Sequence, residues 1–212
     1  PIIWMVMAAF KTVVDIYAVP PAWVPDFTYL ENFKVLLSDN WPFLLNSLVV
    51  TVGATALSLA LALPAAFGLV YFQFRAQNFL ADWILSTRMM PPIAAAVPLY
   101  MVFNGFGMLD TIPALIIVYA GFNLPFAIWV AMSFFRNIPR EIIEAARVEG
   151  CSWAQTFRLV ALPLAKSGIA TVATFVFIFA WNELLLALFL TTREARAFPV
   201  VISSFSTVTR TY

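Results

Sequence analysis

The sequence of 212 residues contains no histidine and a single cysteine, Cys151. Histidine-based zinc sites, Ser-His-Asp triads, Cys-His nucleophile pairs and internal disulfide bonds are therefore excluded by inventory. The chain also lacks the Gly-x-x-x-x-Gly-Lys-Ser/Thr loop that binds nucleotide phosphates, so a nucleotide would have to be bound by another protein. We therefore predict no enzyme activity, no metal ligand and no cofactor for this chain.

Charged residues are scarce as well, because 12 basic and 11 acidic side chains make up only 11% of the chain. Soluble domains carry about 25%. The net charge of +1 excludes a strongly basic nucleic-acid binder, whose affinity depends on an excess of Lys and Arg. Apolar residues account for 63% of the sequence, too many for one water-soluble domain of this size to bury. Membrane lipid must be the solvent, and we predict an all-α polytopic transmembrane helical bundle.

Long uncharged stretches predict where this bundle crosses the membrane, since a hydrocarbon core takes about 20 helical residues. The apolar residues 1–10 are interpreted as part of a further helix, and residues 1–212 as one membrane domain. Because the chain starts inside an apolar run and stops soon after Phe198, we expect both ends to be truncated. The four whole predicted spans are residues 46–70, 80–103, 111–135 and 167–190.

One span contains both a proline pair and a charge. Pro91 and Pro92 predict a kink in the span 80–103. Arg88 in the same span has two structural interpretations, which are extension to the cytoplasmic surface and an ion pair with Asp82. We favour a structural role for this arginine.

Polar side chains also lie within two other spans. Asn123, beside Pro125, could line a pathway through exposed carbonyls or satisfy the bend that the proline makes. Asn182 and Glu183 lie toward the far end of their span, where polar residues face a cavity or a partner. The alternative for these two residues is an interfacial anchor next to Trp181.

The connection at residues 136–166 is basic, whereas the connection at residues 11–45 is mostly acidic. By the positive-inside rule the basic connection is cytoplasmic, and residues 11–45 and 104–110 lie outside. The five basic side chains of the cytoplasmic connection are Arg136, Arg140, Arg147, Arg158 and Lys166.

This cytoplasmic connection has the signals of two short helices. Asn137 is a possible cap of the first, and Gly150 is placed to end it. Ser152 and Gln155 have the spacing of a capping box for the second. The apolar content is too high for a solvated loop without a partner, so we predict a docking surface. Its apolar side chains are Ile142, Ile143, Ala145, Ala146, Val148, Trp153, Phe157 and Leu159.

Glu144 lies one helical turn from both Arg140 and Arg147. One interpretation is an ion pair within the helix, which would contribute a few tenths of a kcal/mol. The other is a carboxylate presented to another subunit.

Residues 144–163 follow a long and specific pattern: Glu144-Ala145-Ala146, three residues, Gly150, nine residues, then Val160-Ala161-Leu162-Pro163. This pattern resembles the EAA loop in the inner-membrane permease subunits of ATP-binding-cassette (ABC) importers. Further segments are similar to the carbohydrate permeases of maltose/trehalose type: Pro20-Pro21-Ala22-Trp23-Val24-Pro25 with Glu31-Asn32, Thr87-Arg88-Met89-Met90-Pro91-Pro92, Asn123-Leu124-Pro125 and Trp181-Asn182-Glu183. That family usually has six spans, whereas here the first is partial and the last is absent.

The resemblance implies a type I importer permease, a multi-pass protein of the bacterial cytoplasmic (inner) membrane. It implies a complex with a second permease subunit, two ABC ATPase subunits and an extracytoplasmic solute-binding protein. The implied function is a translocation pathway for an oligosaccharide or disaccharide. The polar residues within the spans, Asn123, Asn182 and Glu183, are the candidate pathway residues. The implied ATPase-coupling residues are Glu144, Ala145, Ala146, Arg147, Gly150, Leu162 and Pro163.

Other functions remain open on the sequence. A passive channel would need no ATPase, and an ion-coupled carrier would favour intramembrane acidic relays, for which the chain offers little beyond Glu183 and Asp82. A membrane scaffold would tolerate changes at the pathway positions. An ABC permease for a solute other than a sugar would carry the same coupling motif.

Overall fold

The structure, a computed structural model, describes residues 1–20, 23–72 and 74–208. Pro21 and Ala22 of the proline-rich motif lie outside the described residues. The chain divides into two compact units, residues 1–45 and 46–212. The single membrane domain of residues 1–212 stays a prediction from the sequence.

The first unit contains two short helices, α1 (Ile2–Ala9) and α2 (Val13–Ile16). Asn32 ties the end of α1 to the chain that follows it. Its amide nitrogen donates to the carbonyl oxygens of Ala9 at 3.0 Å and Lys11 at 2.9 Å.

Helix α3 (Glu31–Tyr71) begins fifteen residues earlier than the predicted span 46–70. The prediction was bounded by charge at Asp39, and a charged side chain limits membrane crossing but not helix formation. Within α3, Asn40–Tyr71 contains an 18-residue stretch with a mean hydropathy of 2.0 and is long enough to cross a membrane.

The predicted span 80–103 is two helices, α4 (Gln77–Thr87) and α5 (Pro92–Gly105), rather than one kinked helix. Pro91 has φ −61° and ψ 128°, an extended conformation. A proline disfavours the helical conformation of the residue before it, so Pro92 breaks the helix instead of bending it. Pro92 then occupies the first position of α5, where its missing N–H costs nothing.

Helix α6 (Ile112–Arg136) covers the predicted span 111–135 and continues through Pro125. Its first turn is capped by Thr111, whose hydroxyl accepts from the backbone N–H of Ala114 at 3.4 Å. The connection after α6 follows as α7 (Arg140–Val148), α8 (Trp153–Gln155), a π-helical turn (Thr156–Ala161) and α9 (Leu162–Leu164).

The predicted span 167–190 is also divided, into α10 (Lys166–Trp181) and α11 (Leu185–Leu190). The break falls on Asn182 and Glu183, whose polar side chains were interpreted as groups within a continuous helix. The last described helix is α12 (Phe198–Val208).

Two of the described helices, or parts of them, are long and apolar enough to cross a membrane, Asn40–Tyr71 and Ile112–Arg136. A third crossing is present if Trp153–Leu164 and Lys166–Trp181, which meet at a bend of 80°, are taken as one span. The sequence predicts four whole spans, and the helix breaks at residues 88–91 and 182–184 account for the difference.

Helix α6 lies at the centre of the second unit and packs into a hydrophobic cluster at each end. The cluster near the end of α6 includes Phe67, Phe135 and Val172. The cluster near its start includes Leu115 and Leu186. Both ends of the unit are therefore held by buried apolar side chains.

Asp110 joins the loop before α6 to the loop after α11. Its φ of 56° is left-handed, a conformation that Asp and Asn adopt more readily than other side chains. The carboxylate accepts from the backbone N–H groups of residues 192–195 at 2.9 to 3.1 Å, and from the Thr192 hydroxyl at 2.9 Å. Partial burial raises the pKa of Asp110, but these backbone N–H groups outweigh that effect and hold the pKa well below its ordinary value.

We expect Asp110→Asn to lower the free energy of unfolding by about 2 kcal/mol at neutral pH, since hydrogen bonds to a charged acceptor are the stronger ones. Asn keeps the left-handed preference, so the change removes the charge and one acceptor oxygen, because the amide NH2 group cannot accept, without altering the backbone preference. The contribution of the carboxylate is full above the unfolded-state pKa of about 3.9 and is lost as the pH falls further. Thermal unfolding in detergent should thus show wild type and variant converging in acid. Equal melting temperatures at neutral pH would contradict this role of Asp110.

Candidate functional site

The docking segment, residues 137–163, contains helix α7, which is buried on one face and open on the other. Ile143 and Ala146 are only 3% and 7% exposed. The two alanines of the motif therefore differ, because Ala146 belongs to the buried face and Ala145 to the open face. The open face carries Glu144, Ala145 and Val148.

Asn137 does not cap α7. It is the C-cap of α6 instead, with helical φ −78° and ψ −10°, and Pro139 takes the N-cap position of α7. The sequence prediction was wrong here because α6 ends only at Arg136 and takes Asn137 as its own C-cap.

Glu144 makes no ion pair with Arg140 or Arg147. Among the residues that the structure describes, no ion pair within 4 Å includes Glu144. Arg147 donates to the carbonyl oxygen of Cys151, and its guanidinium lies 4.6 Å from the ring centroid of Trp153. The intrahelical interpretation is therefore wrong, and the Glu144 carboxylate is left exposed.

Gly150 makes the turn that the motif requires. Its φ is 90°, a left-handed conformation that side chains with a Cβ rarely adopt. The backbone N–H of Cys151 reaches back to the carbonyl oxygen of Ala146 at 3.1 Å and closes the end of α7.

The capping box at the start of the second helix is confirmed. The Ser152 hydroxyl accepts from the backbone N–H of Gln155 at 3.3 Å, and the Gln155 side chain accepts from the backbone N–H of Ser152 at 2.7 Å. The helix that follows, Trp153–Leu164, is called the linker helix here.

Aromatic rings fix the linker helix to the end of α3. Trp153 lies edge-on to Phe72 with ring centroids 4.8 Å apart, and Phe157 lies 5.1 Å from Phe67. Thr156 and Ala161 are fully buried. The linker helix is therefore a packed element, not a solvated loop.

The predicted residues Leu162 and Pro163 lie where the linker helix ends. Leu162 is half-buried and Pro163 is exposed. The chain turns by 80° immediately after them, between the linker helix and α10.

The predicted pathway residues Asn123, Asn182 and Glu183 line one cavity of about 360 Å³. The cavity lies where the α4–α5 break and the α10–α11 break both face the middle of α6. The other residues that line it are Arg88, Met90, Pro92, Tyr119, Phe122, Ile178, Phe179 and Leu186.

Arg88 is the basic group of this cavity. Its Nη1 donates to the carbonyl oxygen of Phe122 at 2.6 Å and to Oδ1 of Asn123 at 3.3 Å. Its guanidinium lies 5.1 Å from the ring centroid of Phe179. The expected ion pair with Asp82 is absent from the described residues. The arginine bridges two helices instead, because the break after α4 directs it toward α6.

Hydrogen bonds extend from Asn123 to the α10–α11 break. Asn123 is 5% exposed and donates from Nδ2 to the carbonyl oxygen of Tyr119 at 2.9 Å. The Tyr119 hydroxyl donates to the backbone oxygen of Glu183 at 3.1 Å. The Glu183 carboxylate accepts from the backbone N–H of Leu186 at 3.1 Å and so caps α11. The Asn182 amide donates to the carbonyl oxygen of Ile178 at 2.7 Å.

Sequence reasoning did not include Arg88, Tyr119 or Phe179 in this site. A charge beside a helix-breaking proline pair was the available signal for Arg88, since such a break turns a side chain toward its neighbours. Tyr119 is one of several aromatic residues that could stack on a sugar ring, but packing is the ordinary role of such a residue, and Phe179 gave no signal. Among the described residues, no group of three or more Cys, Asp or Glu side chains could hold a metal ion.

Residues 57–210 match the family model of the binding-protein-dependent transport system inner membrane component. A probable ABC transporter permease, y4oR of Sinorhizobium fredii, is 38% identical over 209 residues, which cover 98% of this chain and 75% of that protein. The diacetylchitobiose uptake permease DasC of Streptomyces coelicolor is 35% identical, with coverage of 98% and 76%. The trehalose transport permease SugB of Mycobacterium tuberculosis is 36% identical, with coverage of 97% and 76%.

A solved structure has the same fold. The crystal structure of a bacterial ABC transporter involved in the import of the acidic polysaccharide alginate superposes with a TM-score of 0.81 and 24% sequence identity. The superposition covers 100% of this chain and 75% of that chain. The predicted all-α transmembrane fold is thereby confirmed.

Proposed function

The chain belongs to the inner membrane components of binding-protein-dependent transport systems, and we propose that it is the permease subunit of an ATP-driven importer of a sugar. The resemblance to ABC importer permeases is thus confirmed. Diacetylchitobiose and trehalose, named for two relatives, support an oligosaccharide or disaccharide as the solute.

In the proposed assembly the chain pairs with a second permease subunit. Two ABC ATPase subunits bind on the cytoplasmic side, and a solute-binding protein delivers the sugar from outside. The chain crosses the inner membrane several times, with the docking segment in the cytoplasm as the five basic side chains of residues 136–166 favour. The permease forms the pathway, and its partners hydrolyse ATP.

The single observation that carries this proposal is the construction of the docking segment. Helix α7 is seated on the bundle through Ile143 and Ala146, while Glu144 stays exposed and outside any ion pair of the described residues. Transmission of motion between subunits requires an element that moves as one body. Helix α7 meets that requirement, because one face packs on the bundle and the turn at Gly150 ends the helix.

Within the proposed mechanism, ATP brings the two ATPase subunits together and the docking segments follow them. Glu144 and Ala145 contact the ATPase, and Arg147 and Gly150 keep the end of α7 in its shape. Ala146, Leu162 and Pro163 act by holding the segment on the bundle and redirecting the chain into α10, rather than by touching the ATPase. The permease pair then changes from inward-facing to outward-facing.

The cavity between α6 and the two helix breaks is the proposed place where the sugar passes this subunit. Amide and carboxylate groups of Asn123, Asn182 and Glu183 can exchange hydrogen bonds with hydroxyl groups. Arg88 adds further donors. A cavity of about 360 Å³ lies within the range of small-molecule sites.

Reconstitution of the complete complex in proteoliposomes tests the function. The sugar to be tested is the one that the co-purifying solute-binding protein retains. We expect its uptake to require ATP on the side of the membrane that carries the ATPase subunits, and to stop when ATP is omitted. Uptake that follows an imposed ion gradient without ATP would favour a carrier. Uptake that needs neither ATP nor a gradient would favour a channel.

A further inference from the structure

An apolar groove of about 520 Å³ runs between the end of α3 and the linker helix. Helix α3 forms its floor from Leu59 onward, and the linker helix forms its wall. The apolar side chains that line it are Leu59, Leu63, Phe67, Phe72, Phe157 and Leu162. This groove is separate from the cavity that contains Asn123.

The helix that forms the floor of the groove favours lipid as the adjacent solvent. The helix that forms its floor belongs to Asn40–Tyr71, which is apolar enough to cross the membrane. The groove lies near the end of that stretch, where the linker helix packs on α3. An acyl chain can enter such a groove from the bilayer side without crossing water, and each buried methylene group favours binding.

The rim of the groove is positively charged. Arg158 lines it, is exposed, and has no acidic side chain within 4 Å among the described residues. Trp153 forms part of the same rim, and the Arg147 guanidinium lies 4.6 Å from its ring. A tryptophan and two arginines beside an apolar channel are the chemistry of a membrane–water interface that favours anionic headgroups.

We propose that the groove binds one anionic phospholipid, with an acyl chain against α3 and the phosphate at Arg158. The charge at the rim favours this occupant over a helix of a second permease chain, because an apolar helix would leave Arg158 unpaired. The positive charge at the rim also favours an anionic lipid over a neutral one. The site adds a lipid requirement to the transport function, and it does not depend on which solute is carried.

Quenching of Trp153 fluorescence by brominated lipids tests this site. The purified complex is placed in phosphatidylcholine vesicles that contain, as a minor fraction, either brominated phosphatidylglycerol or brominated phosphatidylcholine. We expect stronger quenching by brominated phosphatidylglycerol, and we expect Trp153→Phe to remove that difference. The matched control is Trp129→Phe, which removes a half-exposed tryptophan of α6 and should leave the difference unchanged.

Arg158 variants separate the headgroup contact from folding. Arg158→Gln should weaken the preference for phosphatidylglycerol about fivefold, the factor expected for one basic side chain near a membrane surface. Arg158→Lys should keep most of it. Equal quenching of Trp153 by both lipids would overturn the anionic site. Protection of Trp153 from both quenchers would overturn it too, because protein would then cover the groove.

Discussion

Replacement of Glu144 by lysine is expected to reduce solute-stimulated ATP hydrolysis at least tenfold while leaving the membrane helices folded. The side chain is exposed, lies on the open face of α7, and belongs to no ion pair of the described residues, so its loss costs the isolated subunit little. At a docked interface, a reversed charge costs several kcal/mol, and a tenfold effect needs only about 1.4 kcal/mol. Hydrolysis by the reconstituted complex and co-purification of the ATPase measure the effect.

The control for this variant is Glu194→Lys. It makes the same change in charge at an exposed side chain in the loop after α11. We expect ATPase association to be normal in this control. If Glu144→Lys hydrolysed ATP and transported as well as wild type, the docking role of α7 would be wrong.

Replacement of Gly168 by alanine is expected to destabilise the chain by about 2 to 3 kcal/mol, the upper range for overpacking. A Cβ built at Gly168 would lie 2.1 Å from Cγ of Phe134 and 2.4 Å from its Cδ1. Because Cγ is near the root of the Phe134 side chain, rotation of the ring alone does not clear it, and α6 and α10 must separate. The expected fall in melting temperature is about 5 to 10 °C for a chain of this length.

Gly121→Ala is the matched control for that experiment. Gly121 also lies in a helix, α6, but no atom is within 4 Å of the Cβ that alanine would add. Alanine is the better helix former by about 1 kcal/mol, so the control should melt at the same temperature or slightly higher. Equal melting temperatures for Gly168→Ala and Gly121→Ala would show that the α6–α10 contact is looser than described.

Local signals in the sequence predicted local structure well. The Ser152–Gln155 spacing specified a capping box, and the position of Gly150 specified a left-handed turn, because each depends on a few neighbouring residues. The prediction that Asn137 caps α7 was wrong. Its cap potential was real, but the preceding helix ends at Arg136 and takes Asn137 as its C-cap.

Helix breaks were harder to predict than helices. Pro91-Pro92 indicated a kink, and only the extended backbone at Pro91 shows that the helix ends there. Nothing local indicated the break at Asn182 and Glu183, where the Glu183 carboxylate caps the next helix and Tyr119 holds its backbone oxygen. Such a break is stabilised by contacts with α6, which periodicity along one segment does not reveal.

The candidate cavity was predicted in part. Asn123, Asn182 and Glu183 were selected because polar groups at membrane depth are costly without a purpose. Arg88 was assigned elsewhere, since a charge near a span end is ordinarily explained by extension to the surface. Its true partners lie 34 and 35 positions along the chain, beyond the reach of pattern analysis.

The Asp110 carboxylate has a practical consequence for anyone who wants to label this protein. Thr192, Arg193 and Glu194 are exposed, and this loop looks suitable for an affinity tag or a spectroscopic probe. The backbone N–H groups of residues 192–195 all donate to the Asp110 carboxylate. An insertion there would break these hydrogen bonds and loosen the loop before α6 and the loop after α11 together.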